Sequence, residues 1–582
     1  MSILYLHLRW FFFVFIIFLF FFCLSLYVTS TSSIYLSFPL FSIGNIDLNF
    51  SVLLDFYSCW FRSVILLISS IIIVYSYFYI YPYSKSHLFL SLTLMFVFSM
   101  LVVVLVSDLF FLMLGWDGLG LISFFLIVYY QNTMSNYSGM FTLLINRIGD
   151  CFFLSSIVLV FYGSSHLFPF SSTTTTLFTS MFLIITFMTK RAIFPFSPWL
   201  PMAIAAPTPI SALVHSSTLV TAGLYLMIRY SYFLYSHVLL LQALLILSIF
   251  TSFYAGLNAI FEVDLKKLIA LSTLSHLGFI GLSFSLGLIN LSFFHMLVHA
   301  LFKSLLFMRM GDIITNLFHS QDVRFLSSGM SVTPFSCQIM YVSLLNLLGL
   351  PRLSGFFSKD LVLETLNFSS VSVFFMVVMF INVFFTYFYT YQLFYYSFSP
   401  VKFTPYIVVH VPLLMHSLLL TILGVFSIFF GYFYLSNICY YVVFPPIPLA
   451  NKLIPLLLNF CVFSFLLVNE KFPVLENSKI FYYFSTIMYL FPFISTFTSR
   501  FYYAQRFKFV KTIEYGALNS IINSSLFDVY FTVSKKTILL AIKHPFSLIY
   551  LVLFILFPLI ALSCSYIIII ISDFQSLDPP LR

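Results

Sequence analysis

The stretch Phe294-His295-Met296-Leu297-Val298-His299-Ala300-Leu301-Phe302-Lys303 places two histidines and a lysine at four-residue steps inside an apolar run. On a helix, positions i, i+4 and i+8 share one face. A titratable stripe in a segment long enough to span a bilayer is costly and marks an ion or proton path. The bland alternative, three satisfied core polar residues, does not account for their periodic alignment.

The surroundings agree with that reading. The 582 residues are 62% hydrophobic and 7% charged, with a mean hydropathy of +1.08. Soluble domains carry roughly 25% charged residues, so much of this chain must face lipid. Its apolar runs are continuous rather than alternating, which predicts membrane helices and not a barrel.

Spanning-length runs begin near Trp10, Leu53, Leu88, Leu109, Phe141, Leu177, Ser211, Val238, Leu268, Leu291, Phe335, Val371, Ile407, Leu453 and Phe481. A last one covers residues 546–571. The expectation is an all-α polytopic membrane protein of about 15–16 spans. The first run follows Arg9. It is too long for a signal-peptide core and lacks a small-residue cleavage site, so it reads as a retained helix.

Two places interrupt the pattern. Phe194-Pro195-Phe196-Ser197-Pro198-Trp199-Leu200-Pro201, followed by Pro207 and Pro209, cannot form a continuous helix. The second is Leu350-Pro351-Arg352-Leu353-Ser354-Gly355, just before Lys359. Irregular backbone at membrane depth belongs where protein or a wet cavity surrounds it, and paired broken helices point to a transport site.

The lone charges near these breaks are the candidates for proton handling. Asp117 lies in Gly115-Trp116-Asp117-Gly118-Leu119-Gly120, either within a helix or at an Asp-Gly turn. Lys190 precedes the first break. An Asp117–Lys190 pair would form a tunable switch; the alternative is a lysine snorkelling from a helix end beside Arg191. His215 follows the proline cluster and has a relay's chemistry, although a lone histidine is also a common core residue. Lys303, led by His295 and His299, is the sharpest candidate. Lys359 and Asp360 follow the second break, as an exit group or as a charged helix start. Arg147 and Asp150, and likewise Asp264 and Lys267, are spaced to pair along a helix and support structure.

Other chemistries find little footing. The net charge of +9 comes from loop and C-terminal lysines and arginines with no basic-aromatic stripe, which excludes a nucleic-acid partner and fits topology-setting charge. The seven cysteines form no CxxC and read as small apolar residues. No nucleotide, flavin or metal motif occurs. Eighty Phe against 19 Gly suggests the mutational bias of an organellar genome. Residues 499–545 interleave Arg500, Arg506, Lys508, Lys511, Lys535, Lys536 and Lys543 with apolar residues, as in an amphipathic helix along a membrane surface or partner subunits.

Together these motifs resemble the antiporter-like subunits of respiratory complex I. The segments are GWDGLGLISFFLI from Gly115, NRIGD from Asn146, PWLPMAIAAPTPISALVHSST from Pro198, DLKKLIALST from Asp264, FHMLVHALFKSLLFM from Phe294 and GFFSKD from Gly355. They occur in the family's order. NRIGD, the chain length and the amphipathic tail set the chain apart from the sister subunits. The first hundred residues and 374–497 fit mainly by hydropathy.

The resemblance implies two inverted five-helix repeats with broken helices within residues 108–400, N-terminal helices over 1–107 and further helices over 401–498. It also implies a lateral helix over 499–545 and an anchor helix over 546–582. It makes Asp117 the acidic partner of Lys190, His215 a linking relay, Lys303 the central lysine with His295 and His299, and Lys359 the exit-side lysine. It implies proton pumping across the mitochondrial inner membrane, coupled to quinone reduction elsewhere. NADH, FMN, iron–sulfur clusters and ubiquinone would reside in partner subunits, with none in this chain. Other membrane-arm subunits, including a sister antiporter-like subunit, would be its partners, with phospholipids such as cardiolipin bound structurally.

Three positions depart from the family pattern: Asp117 where Glu is familiar, Ser197 where His is common, and Ala205 where an acid often stands. Two rivals share the lysine–acid core, a cation/proton antiporter and a scaffold that has lost pumping. The Phe bias and long tail argue against the first, and the intact Asp117, Lys190, Lys303 and Lys359 set against the second.

Overall fold

Apolar runs of this length become helices because a helix satisfies its own backbone in a medium without water. The computed structural model describes residues 2–468 except 29–32, 44–45, 81–85, 163–172, 318–319, 327–333, 369–372, 399–413 and 439–448. The expected spans near Phe481 and over 546–571, the lateral helix over 499–545 and the anchor over 546–582 lie outside the described residues.

Helix α1 (Ser2–Tyr27) leads to an antiparallel hairpin, β1 (Ile34–Ile43) and β2 (Ile46–Leu54). Then come α2 (Phe56–Ile80), α3 (Ser86–Leu105), α4 (Leu109–Ile127), α5 (Thr133–Tyr162) and α6 (Thr173–Arg191). The first break holds the short turns α7 (Trp199–Met202) and α8 (Thr208–Ile210), a wide π turn at Ser211–His215, and α9 (Leu219–Arg229). After α10 (Ser231–Tyr235) follow α11 (Val238–Phe261), α12 (Leu265–Ser285) and α13 (Ile289–Asn316). The second break separates α14 (Pro334–Leu348) from α15 (Leu361–Phe368) through a π turn at Phe356–Asp360. Helices α16 (Val373–Phe398), α17 (Leu414–Ile438) and α18 (Leu449–Val468) complete the described part.

Eleven of these helical segments are long and apolar enough to cross a membrane. The chain is a multi-pass, all-α membrane protein, with one hairpin that continuous hydrophobicity did not reveal. The hairpin is tied to the α3–α4 turn. Ser51 N donates to Asp108 Oδ2 at 2.9 Å, and Val52 bridges Val106. Asp108 precedes α4, and burial pushes its carboxyl up against the pull of the Ser51 hydrogen bonds.

Burial sorts the helices. Only 22% of the apolar window of α1 is buried, whereas that of α13 is entirely buried. A helix apolar on all sides sits at the centre of a large protein. Helix α13 packs against α2, α12, α14 and α17, so its His295, His299 and Lys303 lie in the interior at 0–1% exposure.

Candidate functional site

Asp117 lies inside α4, which overturns the turn reading: the flanking glycines serve packing. Gly115 sits where any Cβ would collide with Val103 on α3. The Asp117 side chain stays one-third exposed and faces Arg147 on α5, Nη1 to Oδ1 at 3.6 Å. The same Nη1 reaches Asp150 Oδ2 at 3.2 Å, the pair expected from the i, i+3 spacing. Trp116 Nε1 donates to Asp150 Oδ1 at 2.9 Å and locks the second carboxylate in place.

Lys190 is fully buried, so it does not snorkel. Its Nζ donates to the Trp116 carbonyl at 3.3 Å and lies 4.8 Å from the centre of the Trp116 ring. Among the described residues Asp117 and Lys190 form no direct ion pair; Arg147 takes the carboxylate. The shorter aspartate reaches Arg147 on the neighbouring helix, while Lys190 folds over Trp116 into space kept open by Gly120. A Cβ on Gly120 would stand 3.1 Å from Nζ.

The first break delivers His215. Its Nε2 shares a hydrogen bond with Ala203 O at 3.3 Å, and Nδ1 is buried with no hydrogen-bond partner. The Trp199 ring lies beside it, tilted, with centres 6.2 Å apart, and its Nε1 donates to Thr189 O at 2.9 Å, one residue before Lys190. The break therefore joins the end of α6 to the histidine.

In the second cluster, Lys303 Nζ donates to Ser272 Oγ at 2.6 Å. One turn on, His276 Nδ1 meets His295 Nε2 at 3.4 Å, and His295 Nδ1 meets Ser358 Oγ at 3.0 Å. Both ring nitrogens of His299 are buried and unpartnered, and its ring lies 5.7 Å from His276. Ser358 belongs to the second π turn, as do Lys359 and Asp360, both 2% exposed. This burial rules out the simple charged helix start. Lys359 Nζ donates to Thr386 Oγ1 at 2.9 Å and Leu347 O at 3.3 Å, and lies 4.4 Å from the centre of the Tyr387 ring. Gly349, in the left-handed region at φ 73°, turns the backbone beside Asp360.

Sequence reasoning missed Ser272, His276, Ser358 and Thr386. A signal existed for the first two: they are four residues apart on α12, so they share a face. Asp264 and Lys267 pair at 2.6 Å as expected, at the partly exposed first turn of α12.

The arrangement can hold and pass protons. Buried amines, imidazoles and hydroxyls gather in two clusters, one around Lys190 and His215 and one from Lys303 to Lys359, and within the second Lys303–Ser272, His276–His295 and His295–Ser358 are joined by hydrogen bonds. Among the described residues no group of three or more metal-ligating side chains converges.

Residues 106–386 match the family model for the membrane domain of NADH:quinone oxidoreductases and Mrp antiporters. A relative from Anopheles arabiensis named NADH-ubiquinone oxidoreductase chain 5 is 45% identical over 345 residues, 58% of this chain and 90% of that protein. The chain belongs to the NADH-ubiquinone oxidoreductase chain 5 family. Its namesakes from Anopheles quadrimaculatus (45% identical) and Artemia franciscana (49%) align over 59% and 46% of this chain. The alignment spans about three fifths of the length of the first curated relatives, 61% and 63%.

Every proposed site residue of this chain 5 family member, from Asp117 to Asp360, falls within the matched 106–386. Two solved structures share the fold. One is an Mrp complex from a Dietzia species, with a TM-score of 0.67, 21% identity, and 88% of this chain and 57% of that one covered. The other is an archaeal membrane-bound sulfane sulfur reductase, with a TM-score of 0.60, 21% identity, and 67% and 82% covered.

Proposed function

We propose that this chain is a proton-translocating membrane-arm subunit of an NADH:ubiquinone oxidoreductase in the mitochondrial inner membrane. Its likeness to chain 5 relatives supports the assignment, and the buried string of titratable groups through both breaks supports the chemistry. Other membrane-arm subunits are its partners, a sister antiporter-like subunit among them, with the lateral helix over 499–545 contacting them. NADH, FMN, iron–sulfur clusters and ubiquinone belong to other subunits, and phospholipids line the outside.

In this reading, a signal from quinone reduction alters how Arg147 shares Asp117 and Asp150. That changes the field on the Lys190 ammonium and the proton it holds on Nζ. The proton moves past His215 towards Lys303 Nζ. From there Ser272, His276 and His295 hand it on to the Ser358 hydroxyl, next to Lys359. Hydroxyls and neutral imidazoles suit this because each can accept one hydrogen while donating another, a hydroxyl at its single oxygen and an imidazole at its two ring nitrogens. Lys359 and Asp360 release the proton.

The observation that carries this reading is Lys303, a fully buried amine that donates to a neutral serine hydroxyl and, among the described residues, has no carboxylate within ion-pair distance. A buried cation without a carboxylate is costly, so it is retained for what its proton does. The test is Lys303→Met in the intact complex. Mild-detergent native gels with NADH staining should show the variant in a megadalton NADH-oxidising band, while vesicles show a reduced proton-to-electron ratio. An unchanged ratio sinks the proposal. The Mrp fold likeness supports a second reading, a monovalent cation/proton antiporter. A small band without NADH oxidation, together with sodium-driven proton flux, would favour it.

A further inference from the structure

Arg191 is a fully buried charge that the relay above does not use. Among the described residues no carboxylate lies within ion-pair distance of it. Its Nη2 donates to the Leu277 carbonyl, its Nη1 approaches Met227 Sδ at 3.5 Å, and its Nε has no hydrogen-bond partner. The surrounding helices make room for it. A Cβ on Gly281 would overlap the guanidinium, and one on Gly223 would come within 3.6 Å of Arg191 Cβ. Desolvating a guanidinium without a counter-ion is expensive, and an ionisable group inside a membrane is a functional candidate by default.

Its placement suggests the function. Arg191 follows Lys190 on α6, so its backbone belongs to the first cluster. Its guanidinium ends on α12 at Leu277, the neighbour of His276, which belongs to the second. A guanidinium stays protonated and cannot relay. A fixed positive charge in a low-dielectric passage repels protons and hydrated cations, as arginine does in selective pores.

We propose that Arg191 is an electrostatic barrier between the two clusters. It blocks direct passage of protons and alkali cations from the Lys190 side to the His276–Lys303 side, and so confines transfer to the route past His215. This rests on the proton-translocating reading. The competing role is a staple joining α6, α9 and α12 by shape and hydrogen bonding alone.

The experiment uses the intact complex in liposomes, with passive proton entry followed by a pH-sensitive dye under an imposed potassium diffusion potential and no NADH. Arg191→Gln keeps an amide donor but removes the charge, and should leak protons severalfold faster than the parent. Arg191→Lys should stay tight. Adding Lys303→Met to Arg191→Gln should return the leak to the parental rate.

An assembled Gln variant as tight as the parent overturns the barrier, and so does a Lys variant that leaks as much as Gln. Arg191→Met is the second neutral variant. If neither neutral variant assembles, Arg191 is required for assembly rather than as a barrier, and the proposal is overturned. Lys303→Met alone, measured with NADH in the same liposomes, reports separately on the translocating reading.

Discussion

At the residue scale, the lesson lies in Lys190. Its ammonium is stabilised by an aromatic face and a carbonyl, with the Asp117–Arg147–Asp150 set shared close by. A cation over a tryptophan ring gains on the order of 2 kcal/mol when desolvated, which offsets only part of the several kcal/mol that burying the ion costs. Gly120 makes this geometry possible. Gly120→Ala would place a methyl 3.1 Å from Nζ and force the ammonium aside. We expect an assembled complex whose proton-coupled NADH oxidation falls about tenfold, equivalent to about 1.4 kcal/mol on the barrier. A variant with parental coupled turnover would show that this packing is incidental. Lys303 and its histidines were legible in the sequence because their alignment lies within one helix. The partner of Asp117 was not, because it depends on the reach of a side chain on a neighbouring helix. His276 shares a face of α12 with Ser272, a pattern visible in the sequence, but its meeting with His295 arises only once α12 packs against α13.

At the scale of elements, proline and glycine made the breaks legible, since no helix runs through Phe194–Pro201 or Leu350–Gly355. Their internal form was not legible. Both contain a π turn, Ser211–His215 and Phe356–Asp360, and both π turns carry a site residue at or near the end. A wide turn turns side chains away from the ordinary helical face, and its register depends on what packs around it. Gly355 opens the second π turn and lies so close to Asn346 that any Cβ would overlap its carbonyl oxygen. Gly355→Ala must push backbone against backbone, and forced overpacking of this kind costs about 1–3 kcal/mol or more. The expected result is less assembled complex and a lower melting temperature in detergent, without a specific effect of pH. Unchanged thermal stability would mean that the break yields easily. The hairpin escaped notice for a different reason. Its sequence, Ile34 to Leu54, is as apolar as the helices around it, and only its alternation and the central Gly44-Asn45 mark it as strand.

At the scale of the molecule, the number of crossings between two surface features fixes their sides. Ser51 of the hairpin bonds to Asp108 at the start of α4, and Tyr230, just after α9, donates to Ser107 O at 3.0 Å. Arg229 also pairs with Asp55 at 2.5 Å. The hairpin, the α3–α4 turn and the end of α9 therefore share one end of the helices. From there α11 runs Val238–Phe261, and its 24 residues, at about 1.5 Å each, cross a bilayer once. The α11–α12 turn, with Asp264 and Lys267, must lie at the opposite end. Two partly exposed positions test this. Cysteines introduced by Ser37→Cys in β1 and Lys267→Cys in α12 should react with a membrane-impermeant maleimide from opposite sides of sealed vesicles, read against the parent's own cysteines. Labelling of both from the same side would mean that α11 does not cross. The path from Lys190 to Lys359 would then not connect the two aqueous phases, and proton translocation through this chain would lose its geometric basis.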